Sequence, residues 1–394
     1  MNSALRLLLD LIRVPGESCC EQKISDTIVR LLKEAGVPSG AIRHDNAHEK
    51  SMYGGEVGNL IVDLPGNISG DRIMLSTHMD TIPIAVEAEP IVEGGRIVDR
   101  SPARSLGGDA RAGCAVLITA IERVMSLCGR HAPLTFVFFV QEELGLVGSA
   151  HMSTSELGNP LPAMCFNFDG GTAEEVKYSV AGVERLNINI TGISAHGGRP
   201  QHGISAAAIE ARALHCLGED GWFGEVKKGE QYGTANLGVL KGGKGSNQVM
   251  PELYCLAEAR SLDISFRSEI IRQWKRAFSE SVEYFNGKSS LKEKAAVEFS
   301  PGPVYDPFTM EKDSSVMKTV DSAIKACGLK PYYSDDMGGQ DSNNIVAAGI
   351  PAVGVGMGCA RCHQPDEYVD IGQFEKCCEL ARVLVERKWD FKKS

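Results

Sequence analysis

The first part of the chain alternates between short apolar strands and helices, and this alternation limits the folds open to it. The predicted elements are strands near residues 59–64, 72–77, 134–140 and 163–168 and helices over 112–127 and 145–155. Two further helices are predicted within residues 1–36. Strands that alternate with helices in this way form a parallel sheet covered by helices. The sequence therefore predicts an α/β fold with a doubly wound, mainly parallel sheet.

The pattern changes at Ala181-Gly182, after which residues 186–191 alternate between apolar and polar. The elements expected next are a helix over 203–216, strands near 234–240 and 252–262, a helix over 267–286 and a strand over 295–299. This β-α-β-β-α-β order is that of a ferredoxin-like α+β domain, which Pro301-Gly302-Pro303 is expected to end. A helix over 314–327 and a strand over 350–356 then return to the first sheet.

Two domains are therefore expected, as a chain of 394 residues also requires, since single cores stop growing beyond ~250–300 residues. Residues 1–181 and 303–394 form one discontinuous domain. Residues 182–302 form an inserted domain.

Residues that can bind metal follow several predicted strands and one glycine turn. They are His78 and Asp80 after strand 72–77, Asp109 before helix 112–127, Glu142 and Glu143 after strand 134–140, Asp169 after strand 163–168, and His363 after the apolar run 350–358. Ligands bind outside the carboxyl ends of strands in open α/β sheets, so these groups are expected to converge. Two imidazoles with three or more carboxylates suit a pair of zinc, cobalt or manganese ions.

Glu142 and Glu143 illustrate why the ordered set matters more than any one motif. Adjacent carboxylates at the end of a buried strand repel each other and lose hydration unless a cation or a proton compensates. Taken alone, the pair is equally consistent with two solvated glutamates in a connecting loop. The repetition of such groups after successive strands is what favours a metal site.

Almost the whole chain resembles the M20 family of dinuclear metallopeptidases. The resemblance is carried by His78-X-Asp80, Gly107-Gly108-Asp109, Glu142-Glu143, Asp169-Gly170 and His363. The metal ligands that it implies are His78, Asp109, Glu143, Asp169 and His363. His78 and Glu143 are expected on different ions, as are His363 and Asp169, with Asp109 bridging both. Glu142 is implied as the general acid and base, and Asp80 as the carboxylate that holds the imidazole of His78.

One motif departs from the family pattern. The family turn is Gly-Ala-Asp-Asp-Lys-Ala-Gly, whereas residues 107–113 here are Gly-Gly-Asp-Ala-Arg-Ala-Gly. Family members tend to hold a cis peptide after the bridging aspartate. We expect the peptide bond between Asp109 and Ala110 to be cis as well, although the second aspartate is missing.

The resemblance also makes the inserted domain a lid that forms a homodimer. His196 would donate a hydrogen bond to the scissile carbonyl oxygen, from its own subunit or from the partner, or would simply cap helix 203–216. Asn247 would contact the substrate. Arg260 would clamp a substrate carboxylate or pair with a surface acid. Residues 338–343 resemble a substrate-facing loop of the family.

Charge and hydropathy exclude several partners and favour a cytoplasmic location. The net charge of −10 argues against binding to nucleic acid or to an anionic membrane. No apolar run approaches the ~20 residues of a membrane span. Arg6 and Asp10 interrupt the N-terminal apolar stretch, which predicts an amphipathic helix instead of a signal peptide. The twelve cysteines are accordingly expected to be reduced.

The segment Cys359-Ala360-Arg361-Cys362-His363 also matches the pattern of c-type haem attachment, in which His363 would ligate haem iron. Haem attachment of this kind normally takes place outside the cytoplasm. Residues 364–371 moreover continue as in M20 enzymes, so a metallopeptidase ligand is favoured. Cys362 is expected to be a point of inhibition by oxidation or thiol reagents.

The implied activity is hydrolysis of an amide bond next to a free terminus of a small peptide. Residues 142–149 and the chain length favour a peptidase T-like tripeptide aminopeptidase with two zinc ions. The alternatives within the family are an N-acyl amino acid deacylase, a dipeptidase or a carboxypeptidase of the carboxypeptidase G2 kind. A catalytically inactive dimeric binding scaffold is the distant alternative, although no candidate ligand is missing.

Overall fold

A computed structural model describes residues 3–128 and 130–387. The chain divides into two compact units, with boundaries between Ser179 and Val180 and between Phe308 and Thr309. None of the helices within the described ranges is long and apolar enough to cross a membrane.

The helices of the described residues are α1 (Ser3–Ile12), α2 (Gln22–Glu34), α3 (Gly108–Ser126), α4 (Val147–Ala150), α5 (Ala206–Glu219), α6 (Ile264–Lys288), α7 (Ser315–Ala326), α8 (Asp341–Ala347) and α9 (Ile371–Glu386). The strands are β1 (Ile42–His44), β2 (Leu60–Leu64), β3 (Ile73–His78), β4 (Pro90–Glu93), β5 (Arg96–Asp99), β6 (Leu134–Phe139), β7 (Met164–Phe168), β8 (Glu175–Val180), β9 (Gly182–Thr191), β10 (Gly224–Lys228), β11 (Gln231–Gly242), β12 (Glu252–Ser261), β13 (Ala296–Tyr305), β14 (Phe308–Thr309), β15 (Tyr332–Asp336), β16 (Ala352–Val355), β17 (Cys359–Ala360) and β18 (Tyr368–Asp370).

The central sheet of the first unit has the strand order β1-β2-β6-β3-β7-β16-β8-β14, with β15 paired to β8. The inner pairs β6/β3, β3/β7 and β7/β16 are parallel, whereas β1/β2, β2/β6 and β16/β8 are antiparallel. The four inner strands β6, β3, β7 and β16 thus run in one direction, and the predicted α/β fold class with a mainly parallel sheet is confirmed. Because β3, β6 and β7 run in the same direction, the residues that follow them lie at one edge of the sheet.

Both faces of this sheet are buried, as a doubly wound fold requires. Phe136 and Phe138 of β6 belong to one hydrophobic core, which α3 and α9 cover. Val137 and Phe139, which point to the opposite face, belong to a second core that includes Ile345 of α8. The continuous apolar sequence of β6 thus reflects burial on both sides.

A small antiparallel sheet with the order β17-β18-β5-β4 completes the first unit. Cys359 pairs with Val369, and Tyr368 pairs with Val98. The connection between β17 and β18 carries His363.

The second unit contains a five-stranded antiparallel sheet with the order β10-β11-β12-β9-β13. Helices α5 and α6 share a hydrophobic core with this sheet. The order β13-β9-β12-β11 is that of a ferredoxin-like sheet, and β10 adds one strand beside β11.

Two expectations about element bounds are wrong. Pro301-Gly302-Pro303 does not end the last strand of the insert, because β13 continues to Tyr305 with a bulge between Pro301 and Val304. An edge strand tolerates prolines at a bulge, where no ladder hydrogen bond is lost. The helix expected over 145–155 is reduced to Val147–Ala150, preceded by Leu146 with a left-handed φ of 63°.

Candidate metal centre

The first unit brings together the seven residues that the sequence singled out for metal binding and proton transfer. His78 ends β3, Glu142 and Glu143 follow β6, and Asp169 follows β7. Asp109 lies at the start of α3, where its φ and ψ of −83° and 107° are not helical. His363 lies in the β17–β18 connection. Residues far apart in the sequence therefore meet at the carboxyl edge of the central sheet.

Asp109, His78 and Asp169 form one group of donors, which we call the first donor set. One ligand atom from each lies within 4.8 Å of the other two. The Nε2 atom of His78 lies 3.1 Å from Oδ1 of Asp109. All three side chains are largely buried, so their charges are poorly screened by solvent.

Asp109, Glu143 and His363 form the second donor set, again with one ligand atom from each within 4.8 Å of the others. The Nε2 atom of His363 lies 2.9 Å from each carboxylate oxygen of Glu143 and 3.4 Å from Oδ2 of Asp109. Asp109 therefore belongs to both sets and directs one oxygen towards each imidazole. The peptide bond between Asp109 and Ala110 is cis, as expected.

Asp80 is fully buried behind His78 and connects several parts of the site. Its Oδ1 atom lies 3.3 Å from Nδ1 of His78 and accepts a 3.1 Å hydrogen bond from the backbone N–H of Glu142. Its Oδ2 atom accepts hydrogen bonds from Ser18 Oγ (2.6 Å) and from the backbone N–H of Glu143 (3.3 Å). A carboxylate on Nδ1 leaves Nε2 of His78 available as a ligand.

The pKa values of the site reflect several carboxyl groups packed around two imidazoles. Burial raises the pKa of Glu143 to about 7 and that of Asp169 to about 6. Hydrogen bonds to Asp109 and Glu143 raise the pKa of His363 to about 11. Burial opposes ionisation of His78, but hydrogen bonds to Asp109 and Asp80 raise its pKa well above its usual range. The raised pKa values indicate that proton binding offsets part of the negative charge of this region.

The donor sets suit divalent metal ions. Each set offers one imidazole nitrogen and carboxylate oxygens, the donors that zinc, cobalt and manganese accept. The protons held by the raised pKa values are those that metal binding would displace. Asp80 supplies the outer carboxylate that ligating histidines usually have. The residues present therefore fit a pair of divalent ions.

Glu142 belongs to neither donor set but lies beside both of them. Its carboxylate, that of Glu143 and a ring nitrogen of His78 lie within 4.8 Å of one another. The side chain is partly exposed. Burial and the charge of Glu143 raise the pKa of Glu142 well above its usual range, although His78 opposes this. Glu142 is thus an acid that can hold and release a proton at this site.

Glu367 is a buried support of the site that the sequence did not single out. Its carboxylate accepts hydrogen bonds from Ser105 Oγ and from the backbone N–H groups of Gly107 (2.8 Å) and Asp109 (2.9 Å). It thereby connects the turn that carries Asp109 to the β17–β18 connection. In the sequence, Glu367 is a glutamate four residues after His363. From the sequence alone it cannot be distinguished from a solvated loop residue.

Arg111 and Asp341 are two other charged residues buried near the site. The guanidinium of Arg111 donates to the backbone carbonyls of Met79, Val14 (3.1 Å) and Gly16 (3.3 Å). Burial raises the pKa of Asp341 to about 7. Asp341 lies in the segment 338–343, where the resemblance had pointed to a substrate-facing loop.

The three candidate substrate contacts lie in the second unit. His196 and Asn247 are exposed and lie in neighbouring loops, since the backbone N–H of Gly197 donates to the carbonyl of Asn247 (2.7 Å). The ring of His196 accepts from the N–H of Gly198 (3.0 Å).

Ser205, and not His196, caps α5, because its side chain accepts a hydrogen bond from the N–H of Ala208. Arg260 is partly buried and pairs with Glu258, with distances of 2.8 Å from Nε to Oε1 and 3.3 Å from Nη2 to Oε2. Of the two arrangements expected for Arg260, the ion pair with an acidic residue is the one observed.

Comparison with known proteins connects this geometry to a family. Residues 74–387 match the profile of Peptidase family M20/M25/M40. The uncharacterized protein YqjE of Bacillus subtilis is 27% identical over 387 residues, 97% of each chain. The crystal structure of aminopeptidase PepT from Bacillus cereus is 27% identical, with a TM-score of 0.78 over 97% of each chain.

A tripeptidase from Staphylococcus aureus has a TM-score of 0.83 over 98% of each chain, and its 24% identity shows a shared fold alone. The family match spans most of this chain and includes His78, Asp109, Glu143, Asp169 and His363. The chain therefore belongs to peptidase family M20/M25/M40 and is a hydrolase of the metallo-exopeptidase class.

Proposed function

We propose that this chain is an aminopeptidase that uses two divalent metal ions to remove the N-terminal residue of a small peptide, with tripeptides as the favoured substrates. The observation that carries the metal assignment is Asp109, whose two oxygens face the two imidazoles of the donor sets. The substrate assignment is supported by the similarity to aminopeptidase PepT over nearly the full length of both chains.

The residues proposed to hold the ions are His78, Asp109 and Asp169 for one ion and Asp109, Glu143 and His363 for the other. Zinc is the favoured metal, with cobalt and manganese as alternatives, because imidazole and carboxylate donors accept all three. Two divalent ions bound there would lower the pKa of a water molecule and polarise the scissile carbonyl.

Glu142 is proposed as the general base and acid. Its carboxylate lies beside the donor sets without belonging to either, and its backbone N–H is anchored on Asp80 at 3.1 Å. In this role Glu142 accepts a proton from the attacking water and delivers it to the nitrogen of the leaving amine. A raised pKa suits the second step, because the group must hold the proton until the amide bond breaks.

The second unit is proposed to act as a lid and as the homodimer interface. His196 would donate a hydrogen bond to the oxygen of the scissile carbonyl, and Asn247 would help to position the substrate. Arg260 would bind a substrate carboxylate with its guanidinium while it keeps Glu258 as a neighbour. The proposed location of the enzyme is the cytoplasm.

The test combines metal content with a substrate panel. The full chain, purified without chelators, is analysed for bound metal by mass spectrometry. Hydrolysis of dipeptides, tripeptides, N-acetylated tripeptides and N-acyl amino acids is measured before and after chelation, and after zinc, cobalt or manganese is added back. About two metals per chain, with chelator-sensitive release of the N-terminal residue from tripeptides, is the expected result.

Other members of the panel identify the alternatives. Cleavage of N-acetylated tripeptides at the C-terminus would replace the aminopeptidase by a carboxypeptidase. Preferred cleavage of dipeptides or of N-acyl amino acids would indicate a dipeptidase or a deacylase. If the chain binds no metal and hydrolyses nothing after any of the three metals is added, the proposal fails and a binding scaffold remains.

A further inference from the structure

Two cysteine thiols lie side by side next to the second donor set. Sγ of Cys362 lies 3.5 Å from Sγ of Cys359, and neither cysteine is in a disulfide. His363 follows Cys362 directly in the sequence. We infer that Cys359 and Cys362 form an intrachain disulfide when the protein meets a low-molecular-weight disulfide, and that this bond withdraws His363 from the second donor set.

The two cysteines differ in how firmly they are held. Cys359 is buried in β17, where it pairs with Val369. Its sulfur packs so closely against Gly108 that a Cβ atom on residue 108 would lie 3.1 Å from it. Cys362 lies in the connection between the strands and is partly exposed. An S–S bond is about 2.0 Å long, so the sulfurs must approach by roughly 1.5 Å. Cys362, which lies outside the strands, is therefore the residue expected to make this movement.

The movement of Cys362 acts on His363 through the backbone. Arg361 and His363, on either side of Cys362, both have left-handed φ angles, 58° and 66°. A turn of this kind has few alternative conformations for residues with a Cβ atom, so a shift of Cys362 changes the direction of its neighbour. The contacts of His363 with Glu143 and Asp109, at 2.9 and 3.4 Å, leave little room for such a change.

Disulfide formation also removes a hydrogen bond to Glu367, the residue whose carboxylate holds the backbone N–H of Asp109. The thiol of Cys359 donates to Oε1 of Glu367 at 3.2 Å, and the same oxygen accepts from the N–H of Asp109 at 2.9 Å. Once Cys359 is oxidised it has no proton to donate. Loss of such outer support typically weakens metal binding by about 10–100-fold, which is the effect expected here.

The chemistry balances with oxidised glutathione as the oxidant. The partly exposed thiol of Cys362 loses its proton and attacks the glutathione disulfide, which gives a mixed disulfide and one reduced glutathione. The thiolate of Cys359 then displaces the second glutathione. One S–S bond breaks and one forms, two protons pass to the leaving thiolates, and the two cysteines are oxidised as glutathione is reduced.

The sequence offers a direct assay for the bond. Arg361 lies between the two cysteines, so trypsin separates them unless a disulfide joins the fragments. The metal-loaded full chain is treated with oxidised glutathione, its free thiols are blocked, and the tryptic peptides are identified by mass spectrometry. The expected result is a joined pair of peptides, with zinc affinity lower by at least about tenfold and restored by a reductant.

Three serine variants provide the controls. Cys359→Ser and Cys362→Ser should yield no joined peptide. Cys362→Ser, which has no thiol at position 362 to oxidise, should also keep its zinc affinity in oxidised glutathione. Cys128→Ser, which changes an exposed cysteine after α3, should respond like the wild-type protein. Two results would overturn the inferred disulfide. In one, wild-type protein carries glutathione on Cys362 but yields no joined peptides. In the other, Cys128 reacts with glutathione while the peptides of Cys359 and Cys362 stay separate and unmodified.

The expected loss of zinc affinity rests on the proposed function, in which His363 is a metal ligand. The inferred disulfide does not depend on that role. The variant His363→Ala separates the two. If it binds zinc as the wild-type protein does, the proposed second donor set fails while the peptide mapping still stands. If His363→Ala loses zinc but the disulfide form of the wild-type protein does not, the inferred withdrawal of His363 is refuted.

Discussion

Replacement of Asp80 by asparagine tests the support of the first donor set. The carboxylate of Asp80 accepts four contacts: His78 and the N–H of Glu142 at Oδ1, and Ser18 and the N–H of Glu143 at Oδ2. The backbone carbonyl of Asp80, which the substitution keeps, lies 3.2 Å from the same nitrogen of His78, Nδ1. Asparagine has nearly the same size, but it has one acceptor oxygen and an NH₂ group that donates. One pair of contacts therefore loses its acceptor, and the negative charge behind His78 disappears.

The magnitude follows from the contact that is lost. A hydrogen bond to a charged group contributes about 1.5–3 kcal/mol, which corresponds to roughly 10- to 150-fold in an equilibrium constant. Removal of the outer partner of a ligating histidine lowers metal affinity by about 10–100-fold. We therefore expect Asp80→Asn to bind its first zinc ion about 10–100-fold more weakly than the wild-type protein.

Competition between the full chain and a chelating zinc indicator measures this affinity. Asp313→Asn is the matched control, because it makes the same change of charge at an exposed residue of the first unit. Circular dichroism verifies that both variants are folded. If the affinity of Asp80→Asn equals that of Asp313→Asn, then Asp80 does not hold His78 for metal binding, and the proposed role of Asp80 is wrong.

Three further predictions concern the base, the lid and the metal-free protein. Glu142→Gln should keep the wild-type metal content but lower kcat by about 10²–10⁴-fold, and retained turnover would rule Glu142 out as the base. His196→Ala should lower kcat by about 10²–10³-fold with unchanged zinc affinity, and loss of zinc instead would contradict its proposed contact with the substrate. In the chelated protein, the folded-state pKa values of Glu143 and Asp169, about 7 and about 6, exceed their ordinary values of 4.5 and 3.8. The folded state then binds more protons, so its free energy of unfolding should fall as the pH rises from about 4 to 7. Thermal unfolding measures this, and a midpoint that rises across that range would oppose the charge balance described for the site.

The sequence was most informative where burial and chemistry conflict. A carboxylate after an apolar strand, as at Asp169, requires a reason, and parallel strands bring such residues to one edge of the sheet. The positions of His78, which ends β3, and Glu143, which follows β6, agree with the same rule. The positions of Asp109, at the start of α3, and of His363, in the β17–β18 connection, do not follow from it.

The sequence was least informative where a residue's environment depends on contacts across the fold. Strand β10 contains Gly224 and only one buried side chain, Val226, so it shows no alternation to recognise. Glu367 and Asp341 are as buried as any ligand, yet each lies in a polar stretch that resembles an exposed loop. Long-range contacts decide the burial of such residues, and local pattern does not report them.

The position of β16 has a consequence for the order in which the protein is made. This strand, Ala352–Val355, lies between β7 and β8 in the central sheet, although both of its neighbours are synthesised more than 170 residues earlier. A nascent chain therefore carries two unpaired strand edges in the interior of its future sheet until the whole second unit has emerged. Such edges bind other strands readily, so this interval is when association with other chains and with chaperones is favoured. The closure of this gap is a non-local step of folding, and interrupted translation before residue 352 leaves a sheet without its strand between β7 and β8.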